Sequence, residues 1–180
     1  MTEQKNIFES AFKLYQNNDL KEAEILLKKN LDTFPEHLPS IFLLGTLFAQ
    51  IQEFQKAKKL LKQAIKIKPK FIEGHNNLGN VFQELSKYQE AKSCYQHAIK
   101  LNPEYVEGHY NLGKVYQKLG KEQLAMSSYK KVIQLDSNYI KAHNNLGRVF
   151  QDMGKYQEAK SCYQHAIKLN PQYAEAHSNL

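Results

Sequence analysis

The sequence predicts an all-α solenoid, in which antiparallel helix pairs stack one after another. Three observations predict it: a period of 34 residues runs along the chain, apolar residues recur at helical spacing within each period, and small residues recur at fixed points of the period. A single helix pair cannot bury its own apolar faces, so neighbouring pairs must stack on it.

The period is clearest in two stretches, 75–103 and 143–171, which differ at only four of 29 positions and lie 68 residues apart, or two periods. The same register gives a leucine column and a glycine column: Leu44, Leu78, Leu112, Leu146 and Leu180, and Gly45, Gly79, Gly113 and Gly147. It predicts one array over 1–180, with five full units and a partial sixth: 4–37, 38–71, 72–105, 106–139, 140–173 and 174–180.

The first helix of a unit is visible in the third unit. Its apolar residues recur at helical spacing: Leu78, Val81, Phe82 and Leu85. A break follows at Ser86 and Lys87, where Ser86 and Gln89 have the spacing of a capping box. The sequence therefore predicts that Ser86 begins the second helix.

The second helix carries its own apolar stripe: Ala91, Cys94, Tyr95, Ala98, Ile99 and Leu101. It ends at Asn102 and Pro103, because proline lacks the backbone donor that would continue the helix. A glycine inside a helix costs about 1 kcal/mol relative to alanine, so the glycine column indicates a steric need. We expect Gly79 to face Ala91, so that the two helices approach closely.

Composition and charge narrow the class of protein. The 180 residues include 25 Lys and Arg against 18 Asp and Glu, a formal net charge of +7, and 42% are hydrophobic. These values exclude a disordered tail, a collagen-like rod and a disulfide-stapled mini-protein. The opening residues lack the apolar core of a secretory signal, and the longest apolar stretch, Ile41 to Leu44, is far shorter than the roughly 20 residues of a membrane span. We therefore expect a cytoplasmic protein.

The repeat closely resembles the tetratricopeptide repeat family, whose unit is a 34-residue helix–turn–helix. In the third unit the matching residues are Leu78, Gly79, Phe82, Ala91, Tyr95, Ala98 and Pro103. The tryptophan that often opens the family's pattern is replaced by histidine, and the first unit matches least well. The resemblance implies a right-handed superhelix and a concave groove that is lined by the first helices and binds a protein or peptide. Because the residues contain no nucleophile–base constellation, we expect no catalysis within them.

The resemblance assigns fourteen residues to this groove: Asn76, Asn77, Asn80, Gln83, Tyr110, Asn111, Lys114, Gln117, Lys141, Asn144, Asn145, Arg148, Gln151 and Asn179. Most are amides, which both donate and accept hydrogen bonds and can pair with the backbone of an extended chain. The column Asn77, Asn111, Asn145 and Asn179 resembles the asparagine ladder in the repeat region of O-linked N-acetylglucosamine transferase. An alternative is that these amides only bond to neighbouring backbone.

Other partners remain as alternatives. A carboxylate clamp, which the family uses for chaperone C-termini, would place cations where Asn76 and Asn145 stand, so it is disfavoured. An RNA-binding array is disfavoured because the chain has one arginine, Arg148. The sequence ends at Leu180, halfway through a first helix, so we expect either self-association at this edge or a continuing chain, such as the catalytic part of a glycosyltransferase whose substrates this region recruits.

No cofactor or metal is predicted. His75, His109 and His143 repeat every 34 residues, and equivalent atoms on stacked helix pairs lie about 10 Å apart, too far to share a zinc ion. Cys94 and Cys162 occupy one column two units apart, beyond the reach of a disulfide, so we expect small buried thiols.

The first two units differ from the rest. At the groove columns they carry apolar residues, which we expect to be buried: Phe8, Phe12, Tyr15, Phe42 and Leu43. The second unit also carries seven lysines against Glu53, most of them on its second helix. We expect this to be a solvated face, and the alternative is a surface for an anionic partner such as nucleic acid or a membrane.

Overall fold

The structure, a computed structural model, describes the backbone of residues 2–180 and the side chains of residues 6–180. This part of the chain forms eleven α-helices in consecutive antiparallel pairs and no strand, so the predicted all-α fold is confirmed. The helices are α1 (Thr2–Gln16), α2 (Leu20–Thr33), α3 (Leu38–Gln50), α4 (Phe54–Ile67), α5 (Ile72–Glu84), α6 (Tyr88–Leu101), α7 (Val106–Lys118), α8 (Glu122–Leu135), α9 (Ile140–Asp152), α10 (Tyr156–Leu169) and α11 (Ala174–Asn179). None of these helices is both long enough and apolar enough to cross a lipid bilayer.

The chain forms two compact units, Met1–Lys87 and Tyr88–Leu180. Each is longer than a 34-residue repeat, and these two are the first and second unit of the structure. In the first unit α1 packs against α2 and α3 against α4. Its core is built from fully buried aliphatic side chains such as Leu27, Ile41 and Leu61, with Ala23 and Ala57 at the small-residue column. The small alanines allow the paired helices to approach closely.

In the second unit α7 packs against α8 and α9 against α10. Here Tyr129 and Tyr163, both at most 2% exposed, occupy the column that holds leucine in the first unit. A Cβ added to Gly113 would lie 2.6 Å from the ring of Tyr129, and one added to Gly147 would lie 2.5 Å from the ring of Tyr163. In this unit the glycines therefore make room for tyrosine rings, and the expected approach of Gly79 to Ala91 stays a prediction.

The break between the two helices of a pair has a recurring backbone conformation. One residue adopts a left-handed φ between +57° and +73° at each break: Asn18, Gln52, Ser86, Gly120 and Gly154. The predicted capping box is therefore wrong, because Ser86 terminates α5 and α6 begins two residues later at Tyr88. Its backbone N–H donates to the carbonyl of Gln83 at 2.9 Å, as expected at a left-handed helix end.

The histidine column has a local structural role. Each of His75, His109, His143 and His177 bonds through Nε2 to the backbone carbonyl six residues earlier, at 2.9 Å. The ring thereby fixes the turn that precedes its helix. Within residues 6–180, no three metal-ligating side chains cluster into a site.

The apolar groove positions of the first unit are only partly buried. Leu43 is buried as expected, whereas Phe12 is 41% exposed and the expected burial is wrong for it. Phe8 and Phe42 are half-buried: the first contacts the His37 ring edge-on at a centroid distance of 5.4 Å, and the second contacts Phe71 at 4.7 Å. Aromatic contacts therefore join α1 and α3 to the residues that precede α3 and α5.

The lysines of α4 and the turn after it face solvent, with Lys58 half-buried and the others exposed. Lys56 pairs with Glu53 at 3.3 Å and lies over the ring of Phe48, and Lys62 lies over the ring of Phe82. Their aliphatic stems cover aromatic side chains of the core while their charges stay in water.

Candidate functional site

The predicted groove residues all lie on the first helices of the pairs. In the first unit α5 carries Asn76, Asn77, Asn80 and Gln83. In the second unit α7 carries Tyr110, Asn111, Lys114 and Gln117, α9 carries Lys141, Asn144, Asn145, Arg148 and Gln151, and α11 carries Asn179. Most of these side chains are half-buried, as expected for residues that line a surface depression.

In the second unit the site is built around three tyrosine rings. Tyr110 of α7 packs against Tyr129 of α8 and against Tyr139 in the turn before α9, with ring centroids 5.9 and 5.0 Å apart. Asn145 of α9 donates from Nδ2 to the hydroxyl of Tyr110 at 3.2 Å and to that of Tyr129 at 3.5 Å. Both bonds use the donor end of the Asn145 amide, so its Oδ1 is not the atom that holds the side chain in place.

The buried tyrosines also fix two glutamines. The hydroxyl of Tyr129 donates to Oε1 of Gln117 at 2.6 Å, and that of Tyr163 donates to Oε1 of Gln151 at 2.9 Å. Each bond occupies the acceptor end of the amide. The Nε2 groups, which these bonds do not use, are donors that each amide can offer to a partner.

The tyrosine hydroxyls stay protonated at neutral pH. Burial raises the pKa of Tyr110, Tyr129 and Tyr139, to about 12 for Tyr139. The positive charge of Arg148 acts in the opposite direction on Tyr110 and Tyr129. Because the neutral form is favoured, Tyr129 can donate the hydrogen bond that orients Gln117.

Two predicted site residues are buried. Asn144 is 2% exposed, and its Oδ1 accepts a bond from Nδ2 of Asn179 at 3.0 Å, which links α9 to α11. Asn76 is 6% exposed, and its Nδ2 donates to Oδ1 of the neighbouring Asn77 at 3.5 Å. Contact of Asn76 and Asn144 with a partner stays a prediction, and it would require both side chains to move.

Basic residues flank the tyrosine cluster. Arg148 and Lys141 are exposed, while Lys114 is half-buried, with Nζ 5.9 Å from the centroid of the Tyr110 ring. A cleft of about 240 Å³ lies along α7 and α9, lined by Lys114, Gln117, Lys118, Asn145, Arg148 and Asp152.

The first unit has a separate cleft between α3 and α5, of about 470 Å³. Asn77 and Asn80 line it together with Thr46 and Glu84. Asn77 donates from Nδ2 to the hydroxyl of Thr46 at 3.2 Å, which fixes this amide between the two helices. The Oε1 of Gln83 is shielded from solvent.

Sequence reasoning missed the contribution of Tyr129 and Tyr139 to the site. Tyr129 lies on a second helix and Tyr139 in a turn, whereas only first helices were assigned to the groove. A signal was present in the sequence, because Phe71, Tyr105, Tyr139 and Tyr173 form an aromatic column with the same 34-residue period.

The two cysteines occupy equivalent positions on α6 and α10. Cys94 and Cys162 form no disulfide with each other and are half-buried rather than fully buried. Burial raises the pKa of the Cys162 thiol to about 11, so it stays protonated at neutral pH and is a poor nucleophile.

Two family profiles match the sequence. One, described as TPR repeat, covers residues 45–86 and 84–120, and the other, described as Tetratricopeptide repeat, covers residues 106–139 and 140–173. Comparison with curated protein sequences finds no match.

Several solved structures are similar over nearly the whole chain. A structure of MamA aligns with a TM-score of 0.83 at 25% identity, covering 92% of this chain and 96% of that chain. YrrB, described as a TPR protein with an unusual peptide-binding site, gives 0.78 at 20% identity, with 96% and 89% covered. A thermophilic TPR protein of Thermus thermophilus, TTC0263, gives 0.77 at 20% identity, with 97% and 95% covered.

Proposed function

Because the chain belongs to the tetratricopeptide repeat family, we propose that it is a protein-interaction module that holds an extended segment of a partner protein. The segment lies along the polar face of α7 and α9. Side-chain amides on this face are held by hydrogen bonds to tyrosine hydroxyls and can form further hydrogen bonds with the partner. The role of these residues is to bind, and we propose no catalytic step within them.

The observation that carries this proposal is the position of Asn145. Its side chain is half-buried, its Nδ2 is held by the hydroxyls of Tyr110 and Tyr129, and its Oδ1 is the end of the amide that these two bonds do not use. A carboxamide held in this way cannot rotate freely, so less conformational entropy is lost when it accepts an N–H from a partner backbone. Asn111, which lies one 34-residue repeat earlier on α7, carries the same carboxamide group at the equivalent helix position.

The glutamines complete the backbone recognition. Gln117 and Gln151 offer Nε2 donors, because their acceptor ends are occupied by tyrosine hydroxyls. An extended peptide alternates N–H and C=O groups along its length, so a row that combines an asparagine acceptor with glutamine donors matches it.

The structural neighbours support the fold rather than the partner. YrrB is described as having an unusual peptide-binding site, but at 20% identity it shares the fold alone with this chain. The proposal therefore rests on the geometry around Asn145.

The test is selection of binders from a random peptide library by the immobilised full chain, followed by affinity measurement with the double variant Asn111→Ala/Asn145→Ala. We expect selected peptides to bind the double variant about tenfold or more weakly, since two hydrogen bonds to the partner are lost. Asn138→Ala, which removes an exposed asparagine in the turn before α9, is the matched control and should bind like the wild type.

Stability must be measured in parallel, because Asn145→Ala also removes the bonds to the two tyrosine hydroxyls. We expect a loss of about 0.5–1.5 kcal/mol for each of these bonds, and binding is compared well below the unfolding midpoint of the variant. If the library yields no binder, or if the double variant binds selected peptides as tightly as the wild type, the proposed function is wrong.

A further inference from the structure

The cleft along α7 and α9 has an uneven set of hydrogen-bonding groups. It contains three cationic side chains, Lys114, Lys118 and Arg148, and one carboxylate, Asp152, which leaves a net charge of +2. Gln117 adds its Nε2 donors, while one lone pair of its Oε1 is already used by the hydroxyl of Tyr129. The acceptors among the lining side chains are the Asp152 carboxylate and the amide oxygens of Gln117 and Asn145, so cationic and N–H groups predominate.

Two of the cations in this cleft, Lys114 and Arg148, lie beside the tyrosine cluster. The Nζ of Lys114 lies over the ring of Tyr110, which holds the ammonium group close to the tyrosine cluster. Arg148 is exposed and lines the same cleft, and its positive charge lowers the pKa of Tyr110, Tyr129 and Tyr163 against the larger effect of burial. Lys114 and Arg148 occupy the same column of consecutive repeats, so they face the cleft from adjacent first helices.

We infer that this cleft is a specificity pocket for an anionic side chain of the bound segment, a carboxylate or a phosphate, held by Lys114 and Arg148 while Oδ1 of Asn145 accepts a backbone N–H of the same segment. The inference rests on the proposed function and deepens it by naming the partner chemistry. A guanidinium and an ammonium on opposite sides match the several acceptor oxygens of such a group, and charge-assisted hydrogen bonds are about twice as strong as neutral ones. Asp152 at the edge of the cleft disfavours a second anionic group there.

The test uses the same random peptide library with the full chain. The wild type should enrich peptides that have Asp or Glu at one fixed position. Replacing that residue with its amide, Asn or Gln, should weaken binding about tenfold or more, as expected for a lost charge-assisted contact. A phosphoserine version of the same peptide distinguishes the two anionic groups: tighter binding than the carboxylate peptide assigns the pocket to phosphate, and weaker binding assigns it to carboxylate.

The variant Lys114→Gln/Arg148→Gln should lose the preference for the acidic peptide over its amide version. Lys155→Gln/Lys168→Gln makes the same change in net charge at exposed positions that do not line this cleft, and it should retain the preference. The control separates a local contact from a general effect of charge.

The outcomes separate the inference from the proposed function. If selected peptides show no acidic preference, or if Lys114→Gln/Arg148→Gln binds the acidic peptide as tightly as the wild type, the pocket is not an anion site, although the peptide groove stands. If Asn111→Ala/Asn145→Ala has no effect on any selected peptide, the groove itself is wrong and the pocket fails with it.

Discussion

The hydroxyl of Tyr129 lies between amides of two neighbouring first helices, donating to Gln117 at 2.6 Å and lying 3.5 Å from Nδ2 of Asn145. At the residue scale, the buried ring of Tyr129 thus fixes the orientation of the Gln117 and Asn145 side-chain amides. The identity of the amides could be predicted from the sequence, because they form columns. Their orientation could not, because it depends on a hydroxyl that reaches them from a different helix.

The contact between Gly113 and Tyr129 gives a prediction in which two effects oppose each other. Gly113→Ala should gain about 1 kcal/mol of helix propensity. The new Cβ would lie 2.6 Å from the ring of Tyr129, which is fully buried and cannot move aside, and such overpacking costs about 1–3 kcal/mol. We therefore expect a net loss of stability in urea unfolding monitored by circular dichroism.

The double variant Gly113→Ala/Tyr129→Leu is the control for this prediction, because leucine occupies the tyrosine column at Leu27 and Leu61. It should recover part of the loss. A single variant Gly113→Ala that is more stable than the wild type would show that the ring does not press on α7.

Tyr139 predicts a dependence on alkaline pH. Burial raises its pKa from 10 to about 12, so the folded protein favours the neutral phenol more than the unfolded chain does. The resulting stabilisation is present below pH 10 and is lost as the pH rises toward 12. The free energy of unfolding should fall less steeply above pH 10 in Tyr139→Phe than in the wild type, and equal slopes would contradict the assignment.

At the element scale, the helices follow from apolar spacing, whereas their ends do not. Leu78, Val81 and Phe82 correctly predict α5, and all three are buried. Ser86 and Gln89 matched a capping pattern by spacing alone, yet Ser86 has φ of +57° and terminates the preceding helix. The sequence did contain a signal for this helix end. Glycine, which favours the left-handed region, occupies the equivalent positions 120 and 154 of the later repeats.

This turn offers a prediction with a control inside the same chain. A non-glycine residue in the left-handed region costs about 1–2 kcal/mol, and glycine costs about 0.5–1 kcal/mol in unfolded-state entropy. Ser86→Gly should therefore stabilise the protein by about 0.5–1 kcal/mol, measured by urea unfolding. Gly154→Ser should destabilise it by a similar amount, since no atom lies within 4 Å of a Cβ there and only the backbone is affected. A loss of stability in Ser86→Gly would contradict this account of the turn.

At the scale of the whole molecule, periodicity made the fold predictable, because one 34-residue pattern repeated along the chain requires the same helix pair each time. The periodic pattern was less informative about the site. Asn76 and Asn144 share a column with the half-buried Tyr110, yet both are buried, because each is bonded to an amide next to it in space. A column shows which residues are equivalent in position, and the neighbours of each one determine whether a partner can reach it.

The central claim is that anchored amides on the first helices bind a partner backbone. The most direct measurement is nuclear magnetic resonance of the side-chain amide groups of the ¹⁵N-labelled full chain, titrated with a peptide selected from the random library. The account predicts that the signals of Asn111, Asn145, Gln117 and Gln151 shift in a saturable way, while those of the exposed Gln157 and Gln164 on α10 stay unchanged. Saturable shifts confined to α10, with the four amides of α7 and α9 unaffected, would contradict it.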